Sequence, residues 1–372
     1  MFDPAKTTQN GRSLNIRMDK TPGKPIRTYD ENGNWRDWST DELVGQRMNT
    51  TLGWKCGAGV DSLFIDMDGN VWNASCRVGG TLGNVWHDFM TPSEWITCTK
   101  KLCTCGADLF IPKSSTTENK KLLRRTQNLP TEKEKHNPEL SSLHGMERTH
   151  ASNQKQVYWE ISRRCNYDCS YCWPWIHNKT DKHKSLEELM KATHLIEEKF
   201  TKGEEVNFII SGGEPTANPA FLDWLRYLDS CGHHVSLHSN GSRKPEYYRE
   251  IIAYGDLNLS VHFEFYNREK FVKVVEAIVD EKHNNRTRRL GHLEVKFMMA
   301  PQNHNEALSL EQDLKNIQYF ADYCTWAIVP IRGGLNNKNI SIEDWHKNHS
   351  DEVMPGYTEE QAKLFGDRRS TQ

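Results

Sequence analysis

The chain has 372 residues, enough for one barrel-sized domain with a small appendage. Its formal net charge of −2 argues against the basic surface of a nucleic-acid-binding protein. The sequence contains no apolar run approaching ~18 residues and no basic start followed by an apolar stretch, so neither membrane spanning nor secretion is expected. The grouping of its ten cysteines indicates metal binding in the reducing cytoplasm rather than a disulfide framework.

The first third of the chain contains a dense group of cysteines. Half of the cysteines lie here, at Cys56, Cys76, Cys98, Cys103 and Cys105. Between the first two, segments 62–65 and 71–73 flank Gly69, a pattern that predicts a β-hairpin with a glycine turn. Paired cysteines near a hairpin indicate either an iron–sulfur cluster or a zinc ribbon, and five suit one four-iron cluster better than two.

Residues 112–156 form a polar stretch with few apolar anchors, which predicts a mobile linker. This linker separates a cysteine-rich domain, 1–111, from a larger domain, 157–332. The remaining tail, 333–372, has a polar helical pattern around 359–365. We expect the tail to cover the open edge of the larger domain or to lie on its outside.

Apolar runs and helical patterns alternate through the larger domain. The predicted strands are 157–161, 206–210, 235–238, 257–263, 293–299 and 326–331. The predicted helices are 185–200, 220–230, 246–253, 268–281 and 306–323. Six such repeats with mostly apolar strands predict an α/β fold, with a parallel sheet curled into part of a barrel. The site of such a fold lies at the C-terminal ends of the strands.

Three cysteines follow the first predicted strand with the spacing CxxxCxxC: Cys165, Cys169 and Cys172. Three thiolates can bind three irons of a [4Fe–4S] cluster and leave the fourth iron open to a substrate or cofactor. A zinc site would need a fourth ligand, which His177 could supply. The second predicted strand ends in a Gly-Gly-Glu motif, where glycines permit close backbone approach and a carboxylate can bind an ammonium group.

The cysteine triplet and the Gly-Gly-Glu motif, in this order, resemble the radical S-adenosylmethionine (SAM) superfamily over about residues 156–332. The resemblance implies a partial (βα)6 barrel with Cys165, Cys169 and Cys172 as cluster ligands. It further implies that SAM contacts Tyr171 near adenine, Gly212, Gly213 and Glu214 at the methionyl amine, Ser239 and Asn240 at a strand end, and Ser260 at the ribose. His262 and Glu264 share the side of the fourth strand that carries Ser260. They are candidate catalytic residues, with a polar contact at the strand end as the alternative.

The cysteine-rich domain is similar to the SPASM and twitch extensions of that superfamily. A cysteine, a hairpin, a second cysteine, a Gly-Asn pair and a further cysteine group occur in this order. The resemblance implies an auxiliary [4Fe–4S] cluster, with zinc as the alternative and the four ligands left open. In the superfamily this extension normally follows the barrel, whereas here it precedes it, and the late cysteines depart from the full SPASM spacing.

The resemblance implies a radical SAM enzyme, either an oxidoreductase or a transferase. An electron from an external donor such as flavodoxin or ferredoxin would enter the cluster, SAM would be cleaved, and a 5′-deoxyadenosyl radical would abstract hydrogen from a substrate. Because SPASM-bearing relatives often mature peptides, a peptide or protein side chain is the expected substrate. The alternatives are modification of RNA or a nucleotide, and a non-catalytic iron–sulfur or zinc scaffold.

Overall fold

The structure is a computed structural model, and it describes residues 8–9, 12–13, 26–30, 34–38, 43–44, 46, 48–103, 106–115, 145–148, 155–172, 176–287, 290–331 and 356–368. The chain divides into two compact units. The cysteine-rich unit comprises Arg17–Tyr158 and His194–Val206, and the parallel-sheet unit comprises Met1–Ile16, Trp159–Thr193 and Asn207–Gln372. Among the described residues, no helix is long and apolar enough to cross a membrane.

The cysteine-rich unit consists mainly of short antiparallel strands. After a first antiparallel pair in the other unit, β1 (Thr8–Gln9) and β2 (Arg12–Ser13), its elements are β3 (Ile26–Tyr29), β4 (Trp35–Trp38), β5 (Lys55–Cys56), β6 (Ser62–Ile65), β7 (Asn70–Trp72), β8 (Thr81–Asn84), β9 (Asp88–Phe89), β10 (Ile96–Thr97), α1 (Gly106–Leu109), β11 (Lys113–Ser114) and β12 (Gly145–Arg148). Six strands form one sheet in the order β10-β5-β11-β12-β3-β4, and β6 to β9 form a meander.

The predicted hairpin in this unit is confirmed. Strand β6 pairs with β7, and Gly69 in the turn has a φ of 83°. A Cβ atom at Gly69 would lie 2.1 Å from the indole nitrogen of Trp86. Glycine is therefore needed both for the left-handed backbone and for the close approach of the tryptophan.

Two strands, β11 and β12, lie inside the stretch that the sequence predicts to be a linker. They pair with each other, and β12 also pairs with β3. Met146 of β12 is fully buried in a cluster with Ile26 and Leu43. A single apolar residue thus anchors β12 in a polar stretch, which is too weak a pattern to predict a strand.

The parallel-sheet unit alternates strands and helices. Its strands are β13 (Lys155–Glu160), β14 (Val206–Ser211), β15 (His234–Ser239), β16 (Gly255–His262), β17 (Leu293–Met299), β18 (Cys324–Pro330) and β19 (Gly366–Arg368). Its helices are α2 (Leu186–Ile196), α3 (Phe221–Ser230), α4 (Pro245–Ile251), α5 (Arg268–Asn284), α6 (His304–Lys315), α7 (Phe320–Tyr323) and α8 (Glu359–Ala362), with 3-10 turns at Pro215–Ala217 and Pro301–Asn303. A π-helical turn at Glu197–Thr201 follows α2 and belongs to the cysteine-rich unit. Elements β13, β14 and α2 continue across the boundaries of the two units.

The six predicted strands are confirmed to within two residues at each end. Strands β14 to β18 pair in parallel in chain order, and β13 lies beside β14. Strand β19 pairs antiparallel with β18, so this part of the tail covers that edge of the sheet as expected. The predicted helix 306–323 is wrong at its centre. It divides into α6 and α7 because Tyr319 adopts a left-handed φ of 65°, which a continuing helix cannot accommodate.

The buried face of the parallel strands is apolar, whereas the opposite face is mostly polar. In β16, Leu257, Leu259 and Val261 are fully buried, whereas the alternate residues are half-buried. On the apolar face, Trp159 of β13 meets Trp224 of α3 edge to face at 5.3 Å between ring centroids. The opposite face, here called the polar face, carries Asn207, Ser236, His238, Asp256, Asn258, Ser260, His262, Glu294 and Lys296. The prediction of mostly apolar strands is therefore correct for the buried face of the sheet and wrong for the polar face.

Asp256 links strand ends on the polar face. Its carboxylate accepts hydrogen bonds from His234 at 2.9 Å, from Ser236 at 3.3 Å and from the backbone N–H of His292 at 2.8 Å. Burial raises the pKa of this carboxyl, but the hydrogen bonds from His234 and His292 outweigh burial and lower it below its usual value.

We expect Asp256→Asn to lower the free energy of unfolding at pH 7 by about 1–3 kcal/mol, because buried donors lose a charged acceptor. The folded-state pKa is depressed, so this stabilisation is present above the unfolded pKa of about 3.9 and is lost as pH falls through the folded pKa. Urea unfolding at decreasing pH should show the difference from wild type shrinking. Asp223→Asn, at an exposed carboxylate on α3, is the control. A difference that grows towards acid pH would contradict the assignment.

Candidate active site

A cavity of about 350 Å³ opens at the C-terminal ends of the parallel strands. It brings together most of the site residues predicted for this part of the chain: Cys165, Cys169, Tyr171, Cys172, Gly212, Gly213, Glu214, Ser239, Asn240, Ser260 and His262. Glu264 lies outside the lining and contacts the cysteine loop from the end of β16. His177, the alternative zinc ligand, also lines the cavity, and its ring bonds Asp168 at 2.8 Å.

The three cysteines of the loop form no disulfide, and all three line this one cavity. Cys169 is buried, and Cys165 and Cys172 are half-buried. Burial raises the pKa of Cys165 and raises that of Cys169 to about 12. The backbone N–H of Tyr167 donates to the Cys165 sulfur at 3.4 Å, a contact of the kind that supports iron–sulfur ligation. The shared cavity and the N–H···S contact fit a thiolate-bound cluster, whereas the raised pKa values keep the unliganded Cys165 and Cys169 protonated at pH 7.

Several contacts hold the cysteine loop in place. The backbone N–H of Cys165 donates to the Asn178 carbonyl at 2.9 Å, and Lys179 donates to the carbonyl groups of Cys165 and Tyr167. Asn240, at the end of β15, donates from its side chain to the Asn166 side chain at 2.9 Å. The loop is therefore fixed both to the chain that follows it and to a neighbouring strand end.

The two candidate catalytic residues also contact the loop. The Glu264 carboxylate is exposed and accepts from the backbone N–H of Ser170 at 2.7 Å and from its hydroxyl. The ring Nδ1 of His262 is 2.8 Å from the Tyr171 hydroxyl. Burial lowers the pKa of His262 to about 4, although Glu264 acts to raise it, so the imidazole is neutral at pH 7. These contacts give both residues a positioning role, and their catalytic roles stay predictions.

We expect Glu264→Gln to loosen the loop and to increase the loss of iron from the reconstituted protein by roughly 2–10-fold. This corresponds to about 0.5–1.5 kcal/mol for a solvent-exposed hydrogen-bonded contact. Iron per chain after gel filtration is the measurement. The matched control is Glu269→Gln on α5, an exposed carboxylate that pairs with Lys273. Equal iron loss in both variants would show that Glu264 does not hold the loop.

The two glycines of the motif are required by the chain's own backbone. A Cβ atom at Gly212 would lie 2.6 Å from the Ser162 carbonyl oxygen, and one at Gly213 would lie 2.5 Å from the carbonyl oxygens of Arg163 and Arg164. The backbone N–H of Gly213 donates to the Ser162 carbonyl at 2.7 Å. The end of β14 thus packs against the segment that leads into the cysteine loop, in addition to facing the cavity.

Glu214 connects the ends of two strands. It is 2% exposed, and its carboxylate accepts from the Thr216 backbone and hydroxyl, from the Ser239 hydroxyl and from the Asn240 backbone. Burial raises the pKa of Glu214, and the hydrogen bonds from Asn240, Thr216 and Ser239 partly offset that rise. The carboxylate therefore organises this end of the site, and its contact with an ammonium group stays a prediction.

Several residues of this site were missed from the sequence. His238 lines the cavity, and its pKa falls to about 4 because of burial and the nearby positive charge of Lys296. Asn166 and Ser170 occupy the non-cysteine positions of the CxxxCxxC motif, where their role could have been suspected. Thr216, just after the Gly-Gly-Glu motif, lies in no motif position that would have predicted its hydrogen bonds to Glu214.

Three further cysteines of the cysteine-rich unit pack in one buried cluster, and a fourth, Cys103, belongs to a second cluster. Cys56 and Cys98 are buried in one cluster with Cys76 packed against it, and Cys76 interacts electrostatically with Cys103. Burial raises the pKa of Cys56 and of Cys76. Cys105 lies outside the described residues. Among the residues that are described, no three His, Cys, Asp or Glu side chains are placed to hold a metal ion.

Cys76, Cys98 and Cys103 each contact a polar side chain. The Thr51 hydroxyl is 3.4 Å from the Cys98 sulfur, and Asn49 exchanges two hydrogen bonds with the Cys103 backbone. The Asp108 carboxylate accepts from the backbone N–H of Cys76 at 2.8 Å. Four cysteines have the donor chemistry of a thiolate-ligated metal group.

A family model supports the resemblance seen in the motifs. The model described as the Radical SAM superfamily matches residues 159–294. Residues 159–294 of this chain are therefore similar to the radical SAM superfamily. The match spans β13 to the start of β17, the region that contains the cysteine loop, the Gly-Gly-Glu motif and the candidate residues of β15 and β16.

Two curated relatives are similar to part of this chain. An AdoMet-dependent heme synthase from Methanosarcina barkeri (strain Fusaro / DSM 804) is 31% identical over 116 residues, 30% of this chain and 32% of the relative. A GTP 3′,8-cyclase from Peptoclostridium acidaminophilum is 31% identical over 117 residues, 30% of this chain and 34% of the relative. The matched region thus spans about a third of each relative.

Two solved structures of Streptococcus suis SuiB are also similar. SuiB bound to S-adenosylmethionine has a TM-score of 0.37 and 15% identity, over 52% of this chain and 45% of that one. SuiB bound to the precursor peptide SuiA has a TM-score of 0.36 and 15% identity, over 47% of this chain and 39% of that one.

Proposed function

We propose that this protein is a radical SAM enzyme that cleaves SAM reductively and abstracts hydrogen from a substrate. The observation that carries the proposal is that Cys165, Cys169 and Cys172 line the same cavity as Gly213 and Glu214. When bound, the [4Fe–4S] cluster would supply the electron that cleaves SAM to a 5′-deoxyadenosyl radical.

The chain's own residues would bind and orient SAM. Cys165, Cys169 and Cys172 would bind three irons, while the cavity edge formed by residues 212–214 would receive the methionyl amine. Ser239 and Asn240 hold the Glu214 carboxylate in place. Tyr171 would contact adenine and Ser260 the ribose, and the parallel sheet would form the partial (βα)6 barrel of the superfamily.

The cysteine-rich unit would hold the auxiliary [4Fe–4S] cluster. Its ligands would be the four cysteines that the structure describes there: Cys56, Cys76, Cys98 and Cys103. The proposal is supported by the packing of Cys56, Cys76 and Cys98 in one cluster and by the electrostatic interaction of Cys76 with Cys103. The resemblance of this segment to SPASM and twitch extensions also supports it. Under this assignment, Cys105 is the spare cysteine, and zinc is the competing metal.

We propose a peptide or protein side chain as the substrate and flavodoxin or ferredoxin as the electron donor. The peptide assignment is supported by the SPASM-like and twitch-like arrangement of the N-terminal cysteines. A nucleotide substrate is the second candidate, because one relative is named GTP 3′,8-cyclase.

Anaerobic reconstitution with iron and sulfide, followed by SAM and dithionite, tests the central proposal. The expected products are 5′-deoxyadenosine and methionine, measured by mass spectrometry. Deuterium transfer from labelled peptides, encoded by neighbouring reading frames, or from labelled nucleotides would then separate the two substrate classes. A fully reconstituted protein that does not cleave SAM would instead support a non-catalytic iron–sulfur scaffold.

A further inference from the structure

Lys113 is a buried cation among the cysteines of the cysteine-rich unit. Its residue is 1% exposed, and β11 places it directly opposite Cys56 in β5. Its ammonium group donates to the backbone carbonyl of Asp108 and to that of Ile111 at 2.9 Å. These carbonyl groups satisfy N–H donors, but they carry no formal charge to balance a buried ammonium.

The neighbours of this ammonium that can carry a negative charge are one carboxylate and the cysteines, the latter only as thiolates. Lys113 interacts electrostatically with Cys56, Cys76, Cys103 and Asp108. Asp108 is itself buried, and its two carboxylate oxygens accept from the backbone N–H groups of Ser75 and Cys76. Both charges therefore lie within the protein beside Cys56, Cys76 and Cys103, a region here called the thiol pocket. Coulomb interactions are screened far less there than at the surface.

We infer that Lys113 is a built-in counter-ion for a redox-active thiolate-bound group in this pocket, and that it favours the reduced form of that group. The inference rests on the proposed auxiliary cluster. Four thiolates around a [4Fe–4S]2+ core carry a net charge of about −2, and reduction adds one more negative charge, by the ligation chemistry of such clusters. A buried positive charge stabilises the reduced form more than the oxidised form, whereas Asp108 has the opposite effect.

The test uses the full chain with Cys165, Cys169 and Cys172 replaced by Ala, so that iron in the reconstituted protein belongs to the cysteine-rich unit. Lys113→Gln and Lys113→Met remove the charge, and the glutamine keeps N–H donors. Asp108→Asn is the matched variant of opposite sign. Iron per chain and the midpoint potential, from a redox titration followed by electron paramagnetic resonance, are measured for each.

We expect the Lys113 variants to retain iron and to have a midpoint lower by about 59 mV, a tenfold change in a one-electron reduction equilibrium. Asp108→Asn should raise the midpoint. A merely structural role would not move the two midpoints in opposite directions. Unchanged midpoints, or shifts of the same sign, would overturn the inference.

The remaining outcomes also decide the question. If both Lys113 variants fail to bind iron, a raised midpoint in Asp108→Asn supports the charge effect and an unchanged one overturns it. If the background protein with Lys113 intact binds zinc and no iron, the auxiliary cluster is disproved, and the inference fails with it. SAM cleavage by the unsubstituted chain is a separate measurement, so failure of the enzyme proposal remains distinguishable.

Discussion

Replacing Cys165, Cys169 and Cys172 together by Ala should abolish 5′-deoxyadenosine formation and remove about four irons per chain. We expect this result because the three thiols line one cavity and would share one cluster. Reconstituted protein would be incubated with SAM and dithionite, and the nucleoside would be quantified by mass spectrometry. Cys231→Ala, at an exposed thiol after α3, is the control and should retain both iron and activity. Unchanged cleavage in the triple variant would disprove the radical assignment.

The metal that stays in the triple variant tests the cysteine-rich unit. Residual iron with a cluster spectrum would support an auxiliary cluster bound by Cys56, Cys76, Cys98 and Cys103. One zinc per chain without iron would identify a structural zinc site. The two metal sites can be separated in this way because their cysteines lie in different segments of the chain.

Glu214→Ala should lower both the stability and the SAM affinity of the protein. The substitution leaves the buried donors of Thr216, Ser239 and Asn240 without their charged acceptor, at a cost of about 1–3 kcal/mol or more in the free energy of unfolding. If the carboxylate also binds the methionyl amine, the free energy of SAM binding should become less favourable by ~2–5 kcal/mol. Urea unfolding and equilibrium dialysis with labelled SAM measure the two effects.

Two further variants separate these roles of Glu214. Thr216→Val removes one hydroxyl donor and keeps the carboxylate, so it should cost about 1 kcal/mol in stability and leave SAM affinity near that of wild type. Glu214→Gln keeps the size of the side chain and removes its charge. Wild-type affinity in Glu214→Gln would mean that the amine is bound elsewhere and that Glu214 only connects strand ends.

The sequence by itself determined the elements whose pattern is local. The six parallel strands were predicted because each carries a run of apolar residues, and the β6–β7 hairpin because a glycine turn separates two short runs. The cysteine loop could also be predicted from the sequence, because the CxxxCxxC motif lies within eight residues and the proposed iron ligands are its thiols alone. The match of the radical SAM model to residues 159–294 agrees with these signals.

The tertiary structure decided which polar groups meet. Glu264 bonds Ser170 from 94 residues away, and Asn49 bonds the Cys103 carbonyl from 54 residues away. The burial of Lys113 among thiols depends likewise on the pairing of β5 with β11. A side chain's hydrogen-bond partner is set by the folded path of the chain, whereas apolar periodicity is set by neighbours a few residues apart. Strand identity could therefore be predicted from the sequence, but the contacts that hold the site could not.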